Sequence, residues 1–520
     1  QKAILPNEFT YVFNLKACGN LGATIKAQQV HSEIILRGLE KKLHIVNSLI
    51  STYTKCGLLS TGKKLLLELQ TQDVVSWTAM QVVYIKQGHG IEALWIYLKM
   101  QHEGIYPNQH TIAAGLRACA HIVDMDEKIF VQGEESNKMI AFFIGKALHV
   151  FACEQGLAAN LLVNNALITL YGKCGAIEEA EAVFSCASEH DVALWNAMLS
   201  AYLGQDQAEK ALLLCKKMIE KDEISKDELT FSLLIRACGD LAKKEIGSVP
   251  KDRLFKLMPL EMGFTLHNEA CLKDLASEVL VGNTLISMYG KCGAMIEAEY
   301  VFNDLSQRDS VSWNAMLSAY GERGQYTESL RLYTRMQKEG VCPTDITLLC
   351  ILQACGETGN LELCKRTHYI VISSGLDLNL SLVNILIHAY ASCGSMLDAQ
   401  NVLDGLPQPI VVSWNACLCG YAGEGNFVEI MKILDSMQMA GLKPDEVTFP
   451  SVLSACNHTG LLSMALKIFE SMTNDYCISP NVTHYGSIMD LLGRAGDFET
   501  IKKVITGGMS QHADLTLWLS

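Results

Sequence analysis

Between positions 310 and 344 the apolar residues fall at helical spacing twice over, with a break between the two runs. Val311, Trp313, Met316, Leu317 and Tyr320 mark one face of a first helix. Gly321 and Gly324 interrupt it, and Tyr326, Leu330, Tyr333 and Met336 mark a second face. Gly340 and Pro343 end the segment, so the pattern predicts a helical hairpin of 35 residues. One such hairpin cannot bury both faces alone. Stacking on neighbours buries them, which predicts an all-α solenoid of helix-turn-helix units.

The neighbours are written in the same phrases. VSWNAML at 311–317 has close variants at 75–81, 193–199 and 412–418, and the four tryptophans, Trp77, Trp195, Trp313 and Trp414, are 118, 118 and 101 residues apart. Two other phrases recur between them in fixed order. One is T-h-x-x-x-L-x-A-C with an apolar second residue, at 10–18, 111–119, 230–238, 347–355 and 448–456. The other is N-x-L-I-x-x-Y-x-x-C-G, starting at Asn47, Asn165, Asn283 and Asn384. The repeat is therefore an ordered triplet of 35, 35 and 31 residues. The longer spacings place insertions near 121–144 and 240–264, which lack the period and are expected to form loops or short extra helices on the surface. The expected organisation is 1–7 as the tail of a preceding unit, 8–445 as the triplet repeats and 446–514 as two terminal variants.

A chain of 520 residues is too long for one ordinary core, and 49% hydrophobic residues with 10 prolines argue against disorder. No apolar run approaches a membrane span and no stretch reads as a signal peptide, so no membrane partner is expected; a first residue of Gln suggests a fragment or a processed form. Nine of the 19 cysteines sit in two repeated settings, A-C at Cys18, Cys119, Cys238, Cys355 and Cys456, and C-G at Cys56, Cys174, Cys292 and Cys393. With no C-x-x-C pair, these read as small reduced thiols packed between helices. A formal charge of −14 weighs against unspecific nucleic-acid binding, without excluding a local basic stripe.

Together SWNAM, GKALH at 145–149 and the LIxxYxKCG phrase resemble the pentatricopeptide repeat family, and the ordered triplet resembles its PLS subclass. Residues 446–514 look like the terminal L and S variants, and DLTLWLS, whose residues 515–520 end the chain, looks like the start of a truncated E motif. The resemblance implies a right-handed α-solenoid superhelix that binds single-stranded RNA in a mitochondrion or chloroplast, one base per repeat. It further implies that the fifth and last residues of each unit face the base edge. Asn at the fifth position resembles a pyrimidine reader and Thr a purine reader; a last Asp favours U or G and a last Asn C or A. On that basis Asn47/Asp73, Asn165/Asp191, Asn196/Asp227, Asn283/Asp309 and Asn415/Asp445 read U, and Thr78/Asn108 reads A. Asn314/Thr344 reads a pyrimidine, as does Asn384, which Ile410 accompanies. The L-type pairs Val12/Lys42, Ala113/Asn160, Ser232/Glu278 and Leu349/Asn379 mostly lack a polar fifth residue and are expected to be spacers, and Gly486 reads nothing. The implied site is about 5′-NUANUUNUYNYUNN-3′, where N is any base and Y a pyrimidine.

Members of this subclass often end in a cytidine deaminase, whose chemistry needs H-x-E followed by C-x-x-C. HSE at 31–33 and HNE at 267–269 occupy the same place in an L-type unit and no C-x-x-C follows, so they read as repeat features. Cys417 and Cys419 fall on different faces of one helix and make a poor metal site. Neither enzymatic activity nor a cofactor or metal is expected. The best-fitting role is an RNA-editing specificity factor that places a deaminase supplied elsewhere. Transcript stabilisation, splicing or processing is the alternative within that class, and a protein-binding helical scaffold the alternative outside it.

Overall fold

The computed structural model describes all residues except 1–5, 40–41, 69–72, 126–136, 221–225, 247–256, 377, 498 and 502–520. The E-like segment at 515–520 and most of the tail at 1–7 thus lie outside the described residues. Among the described residues there are twenty-seven α-helices and no strand. They fall into two compact units, 1–276 and 277–520. In the first unit seven hairpins follow one another, from Glu8–Asn20 with Thr24–Leu36 to Glu228–Ile246 with Leu257–Leu272. In the second, six hairpins run from Val279–Cys292 with Met295–Asp304 to Thr448–Thr459 with Leu462–Asn474, followed by the helix Val482–Ala495.

The hairpin at 310–344 shows how the sequence makes each unit. The Asp309 side chain accepts from the Ser312 N–H at 2.9 Å and starts the helix Ser310–Glu322. After the helix, Gly324 takes φ +68, which a residue with a Cβ rarely adopts, and the chain turns into Tyr326–Lys338. Trp313, Met316, Leu317 and Tyr320 are buried on the first helix, and Leu332, Tyr333 and Met336 on the second. Val311 departs from the expected face: it is 55% exposed, while Ser312 beside it is fully buried. Both lie in the first turn, where side chains lean back toward the helix N-terminus, and there the polar residue holds the inward position.

The 31-residue units lose their residues from the second helix. Leu59–Glu68, Ile177–Cys186 and Met295–Asp304 have 10 residues and Met396–Asp404 has 9, against 13 in Gly90–His102 or Tyr326–Lys338. Removing about one helical turn keeps the apolar face in phase. The two insertions are described only at their ends. Their described flanks continue the hairpin helices, which reach 18 residues in Asn137–Glu154, 19 in Glu228–Ile246 and 16 in Leu257–Leu272; their middle portions lie outside the described residues.

Adjacent hairpins are joined by contacts that repeat with the phrases. In YGKCG the Gly gives its place to the next hairpin: a Cβ on Gly172 would lie 2.5 Å from the Ala201 Cβ, and one on Gly290 2.5 Å from the Ala319 Cβ. Farther along, the small residues are exchanged, and a Cβ on Gly420 would lie 2.5 Å from that of Ala391. Gln205 Nε2 and Arg323 Nε then donate to the Gly172 and Gly290 carbonyls at 3.0 and 2.8 Å, satisfying helix ends. His31, His149 and His368 bond through Nδ1 to the hydroxyls of Tyr53, Tyr171 and Tyr390 at 2.8, 3.0 and 2.9 Å. His31 of the HSE triplet is one of these helix-joining residues. The five A-C cysteines are all buried and the four C-G cysteines half-buried. Burial pushes the Cys119 and Cys355 thiols up to about 12, which keeps them protonated and inert.

Candidate nucleic-acid interface

Every polar pair expected from the sequence starts on the first helix of one hairpin and ends at the start of the next. The last-position residue is the N-cap of the following first helix: Asp73, Asn108, Asp191, Asp309 and Thr344 each accept from a backbone N–H one turn on. Asp227 accepts likewise from the Thr230 N–H at 2.8 Å and Asp445 from the Thr448 N–H at 3.0 Å. Capping alone therefore gives a local reason for acidic and amide residues here. The fifth-position residue lies inside the helix, where capping offers it nothing.

A third residue completes the site, and the sequence reading passed over it. It is the Ser or Thr at the third position of the following hairpin, the first letter of the T-h-x-x-x-L-x-A-C phrase and the Ser of VSW. Ser76, Thr230, Ser312, Thr347, Ser413 and Thr448 are fully buried and Thr111 is 1% exposed. Thr230 Oγ1 lies 2.8 Å from Asn196 Oδ1 and 2.7 Å from Asp227 Oδ1, and Asn196 Nδ2 donates to Asp227 Oδ1 at 3.1 Å. Thr448, Asn415 and Asp445 repeat this at 2.7, 2.9 and 3.0 Å. Ser76 bonds both Asn47 and Asp73. Thr347 donates to Asn314 Oδ1 at 2.6 Å while Asn314 Nδ2 donates to Thr344 Oγ1 at 2.9 Å. Where the last residue is Ile410, Ser413 still donates to Asn384 Oδ1 at 2.7 Å. At Thr78 the two hydroxyls, Thr78 and Thr111, meet at 2.9 Å, and Thr111 Oγ1 lies 3.0 Å from Asn108 Oδ1.

Two units depart from this. Asn283 Nδ2 donates to Asp309 Oδ1 at 3.3 Å, but among the described residues the Ser312 hydroxyl bonds only Asp309, at 3.0 Å, and Asn283 Oδ1 is buried without a partner. After Asn165 and Asp191 the third position is Leu194, buried and without a hydroxyl. Asp191 caps through the Leu194 N–H at 2.8 Å, and the Asn165 side chain makes no hydrogen bond among the described residues.

The network decides which way an amide faces. Turning the Asn196 amide over sets its oxygen against the Asp227 carboxylate, so Oδ1 faces the hydroxyl and Nδ2 the carboxylate. One Nδ2 hydrogen is then unused. All the bonds that reach Asp227 among the described residues end on Oδ1, leaving Oδ2 as an acceptor. Burial alone pushes the Asp227 carboxyl up, but the Thr230 hydroxyl and N–H and the Asn196 amide outweigh it and hold the group below the usual carboxylate range. Asp309 and Asp445 are lowered against burial in the same way, by Ser312 and Asn283 and by Asn415 and Thr448. At neutral pH each such pair offers one N–H donor and one ionised acceptor.

Beside the pair runs a second feature with no sequence expectation attached. The second residue of many units is apolar and exposed: Val75 at 57%, Val311 at 55%, Val412 at 54% and Val447 at 58%, with Leu229 and Ile346 also exposed. At the other end, the last turn of the first helix carries Lys55, Lys86, Lys173 or Lys291. By contrast, three junctions pair an apolar fifth residue with an apolar third one. Val12, Ala113 and Leu349 at the fifth position are followed by fully buried Ile45, Val163 and Leu382 at the third. Among the described residues no group of His, Cys, Asp or Glu could hold a metal ion, Cys417 is buried while Cys419 is exposed, and no helix is long and apolar enough to cross a membrane.

Comparison with known proteins accords with the repeat. The PPR repeat family model matches residues 308–357 and 409–458. The PPR repeat model matches 44–74, 75–105, 165–192, 193–222, 283–310, 381–407 and 447–477. The mitochondrial pentatricopeptide repeat-containing protein At4g19191 of Arabidopsis thaliana is 30% identical, covering 99% of this chain and 74% of its own length. The chloroplastic At1g11290 protein of the same plant is 29% identical over 94% of this chain, which spans only 56% of that relative's length. The crystal structure of the maize pentatricopeptide repeat protein PPR10 shares the fold, with a TM-score of 0.52 at 20% identity, covering 98% of this chain and 75% of that one. With repeat models matching more than half of its length and a relative 30% identical over most of both chains, the chain belongs to the pentatricopeptide repeat family.

Proposed function

We propose that the chain binds single-stranded RNA and reads it one base per polar hairpin, at a site close to 5′-NUANUUNUYNYUNN-3′. One observation carries this reading: the triads Asn196/Asp227/Thr230 and Asn415/Asp445/Thr448 each leave an N–H donor and an ionised acceptor unused, held at equivalent places in their hairpins. A pyrimidine presents the O2 acceptor and, in uracil, the N3–H donor, which match that pair. Cytosine turns an N3 lone pair toward the carboxylate instead and is disfavoured. The exposed apolar residues at the second position supply surface for base faces, and the first-helix lysines supply local positive charge for phosphates despite the formal charge of −14. The L-type junctions show that hairpins stack as well on an apolar pair, so stacking alone does not call for the amides.

The reading extends to the PLS subclass, with 515–520 as the start of an E motif. It also extends to a role as an organellar specificity factor for C-to-U editing that positions a deaminase supplied elsewhere. Relatives named chloroplastic and mitochondrial support an organelle. Transcript stabilisation, splicing or processing stands within the same class.

Fluorescence anisotropy at fixed salt tests the core of this. The proposed RNA is compared with a shuffled one and with a variant carrying U opposite Thr78. Tight binding that drops on the single swap and returns with Thr78→Asn supports base-by-base reading. Equal weak binding to all three refutes it and favours a protein-binding scaffold.

A further inference from the structure

The fifth and sixth nucleotides of the proposed site are assigned to two adjacent units with the same reading pair, Asn165/Asp191 and Asn196/Asp227, yet the two units are not built alike. Behind Asn196 stands the buried Thr230 hydroxyl, 2.8 Å from Oδ1, with Nδ2 on Asp227 at 3.1 Å. Behind Asn165 stands Leu194, buried, and the amide has no side-chain bond among the described residues. An amide is nearly symmetric in shape, and its two ends differ only in whether they donate or accept. Unless something distinguishes them, the side chain offers a donor in one orientation and an acceptor in the other. The pair then ceases to discriminate.

Accordingly, we infer that the third-position hydroxyl of the following hairpin is a positioning residue for specificity: Thr230, Thr347, Thr448, Ser76 and Ser413 fix the amide of the preceding unit donor-outward, and Leu194 leaves the unit 161–191 relaxed in its choice of base. Reading in this chain is then a three-residue property spanning two hairpins, and the fifth-and-last pair overstates the specificity at Asn165. This rests on the RNA reading proposed above.

The internal placement of the hydroxyls agrees with it. In sequence they follow the fifth residues Asn47, Thr78, Asn196, Asn283, Asn314, Asn384 and Asn415, and apolar Ile45, Val163, Val281 and Leu382 stand where the preceding fifth residue is Val12, Ala113, Ser232 or Leu349, none of which carries an amide. A buried hydroxyl facing an apolar residue has no partner, so the third position is polar where there is an amide to orient. Leu194 is the one third position after a fifth-position Asn that lacks it.

The test uses the full chain and three RNAs: the proposed sequence, the same with C at the fifth nucleotide, and the same with C at the sixth. The wild type is expected to lose about tenfold in affinity on the sixth-position change, as for a mismatched base in other direct readout, and less than about threefold on the fifth. Thr230→Val, nearly isosteric, is expected to bring the sixth-position ratio to within about twofold, while Thr230→Ser keeps it. Leu194→Thr is expected to raise the fifth-position ratio above about threefold. A ratio depends on which base is bound, so a general loss of stability in a variant lowers both affinities and leaves it unchanged. If the wild type discriminates at neither nucleotide, the base reading itself fails and this inference falls with it. If the wild type discriminates at the sixth and Thr230→Val retains the ratio, or if it discriminates equally at both, base reading stands and the hydroxyl has no positioning role.

Discussion

Replacing Gly290 by Ala tests how closely the first helices of neighbouring hairpins pack. The added Cβ falls 2.5 Å from the Ala319 Cβ and 3.2 Å from its Cα, where carbon atoms ordinarily rest about 3.5–4.0 Å apart. Both partners sit on helix faces crowded by Tyr289, Trp313 and Met316, all buried, so relief requires the helices to separate and lose contacts along the seam. Overpacking of this kind costs about 1–3 kcal/mol, whereas exchanging Gly for Ala in a helix gains about 1 kcal/mol. We expect Gly290→Ala to destabilise the chain by about 1 kcal/mol net. Gly321→Ala, in the helix Ser310–Glu322 with nothing within 4 Å of its added Cβ, should instead stabilise by up to about 1 kcal/mol. Combining Gly290→Ala with Ala319→Gly recreates the Ala391–Gly420 arrangement found elsewhere in the chain. The two changes should therefore couple favourably by about 2 kcal/mol. Urea midpoints followed by far-UV circular dichroism measure the wild type, Gly290→Ala, Ala319→Gly, their double variant and Gly321→Ala. If Gly290→Ala stabilises as much as Gly321→Ala, or the double variant shows no coupling, the close approach is not there.

Two further expectations concern charge. Burial lowers the His31 and His149 pKa values, and His368 is lowered by burial against an opposing pull from Asp398, so all three resist protonation in the folded chain. The unfolded chain, with ordinary histidines near about 6.5, binds protons first as pH falls. Stability is full above that value and is lost as pH drops through the folded pKa values. The melting temperature should fall between about pH 7.5 and pH 5; a flat or rising profile would contradict the assignment of these histidines as buried partners of Tyr53, Tyr171 and Tyr390. For RNA binding, Lys→Gln at Lys55 or Lys86 should flatten the slope of log affinity against log salt by about 0.7 for each lysine that meets a phosphate. An unchanged slope removes these lysines from the interface.

The hairpins, their triplet order and the fifth and last positions could all be read along the chain. Each is written within 35 consecutive residues by helical period, by an N-cap such as Asp309 and by a Gly such as Gly324 that takes φ +68. Local signals suffice for local geometry, and repetition makes the same signal visible several times. Other features depended on atoms that meet across hairpins. Val311 and Ser312 are neighbours in sequence, and only the stack buries the second and exposes the first. Thr448 lies 33 residues from the Asn415 amide whose oxygen it holds, and no periodicity signals that bond. The Gly172–Ala201 and Ala391–Gly420 contacts exchange which helix carries the glycine, so the sequence offers two unlike residues where the structure has one close approach. The chain by itself determined which units can carry a polar pair at the fifth and last positions. Tertiary structure decided which of those pairs is oriented, because the direction of an amide is set by a hydroxyl contributed from the next hairpin.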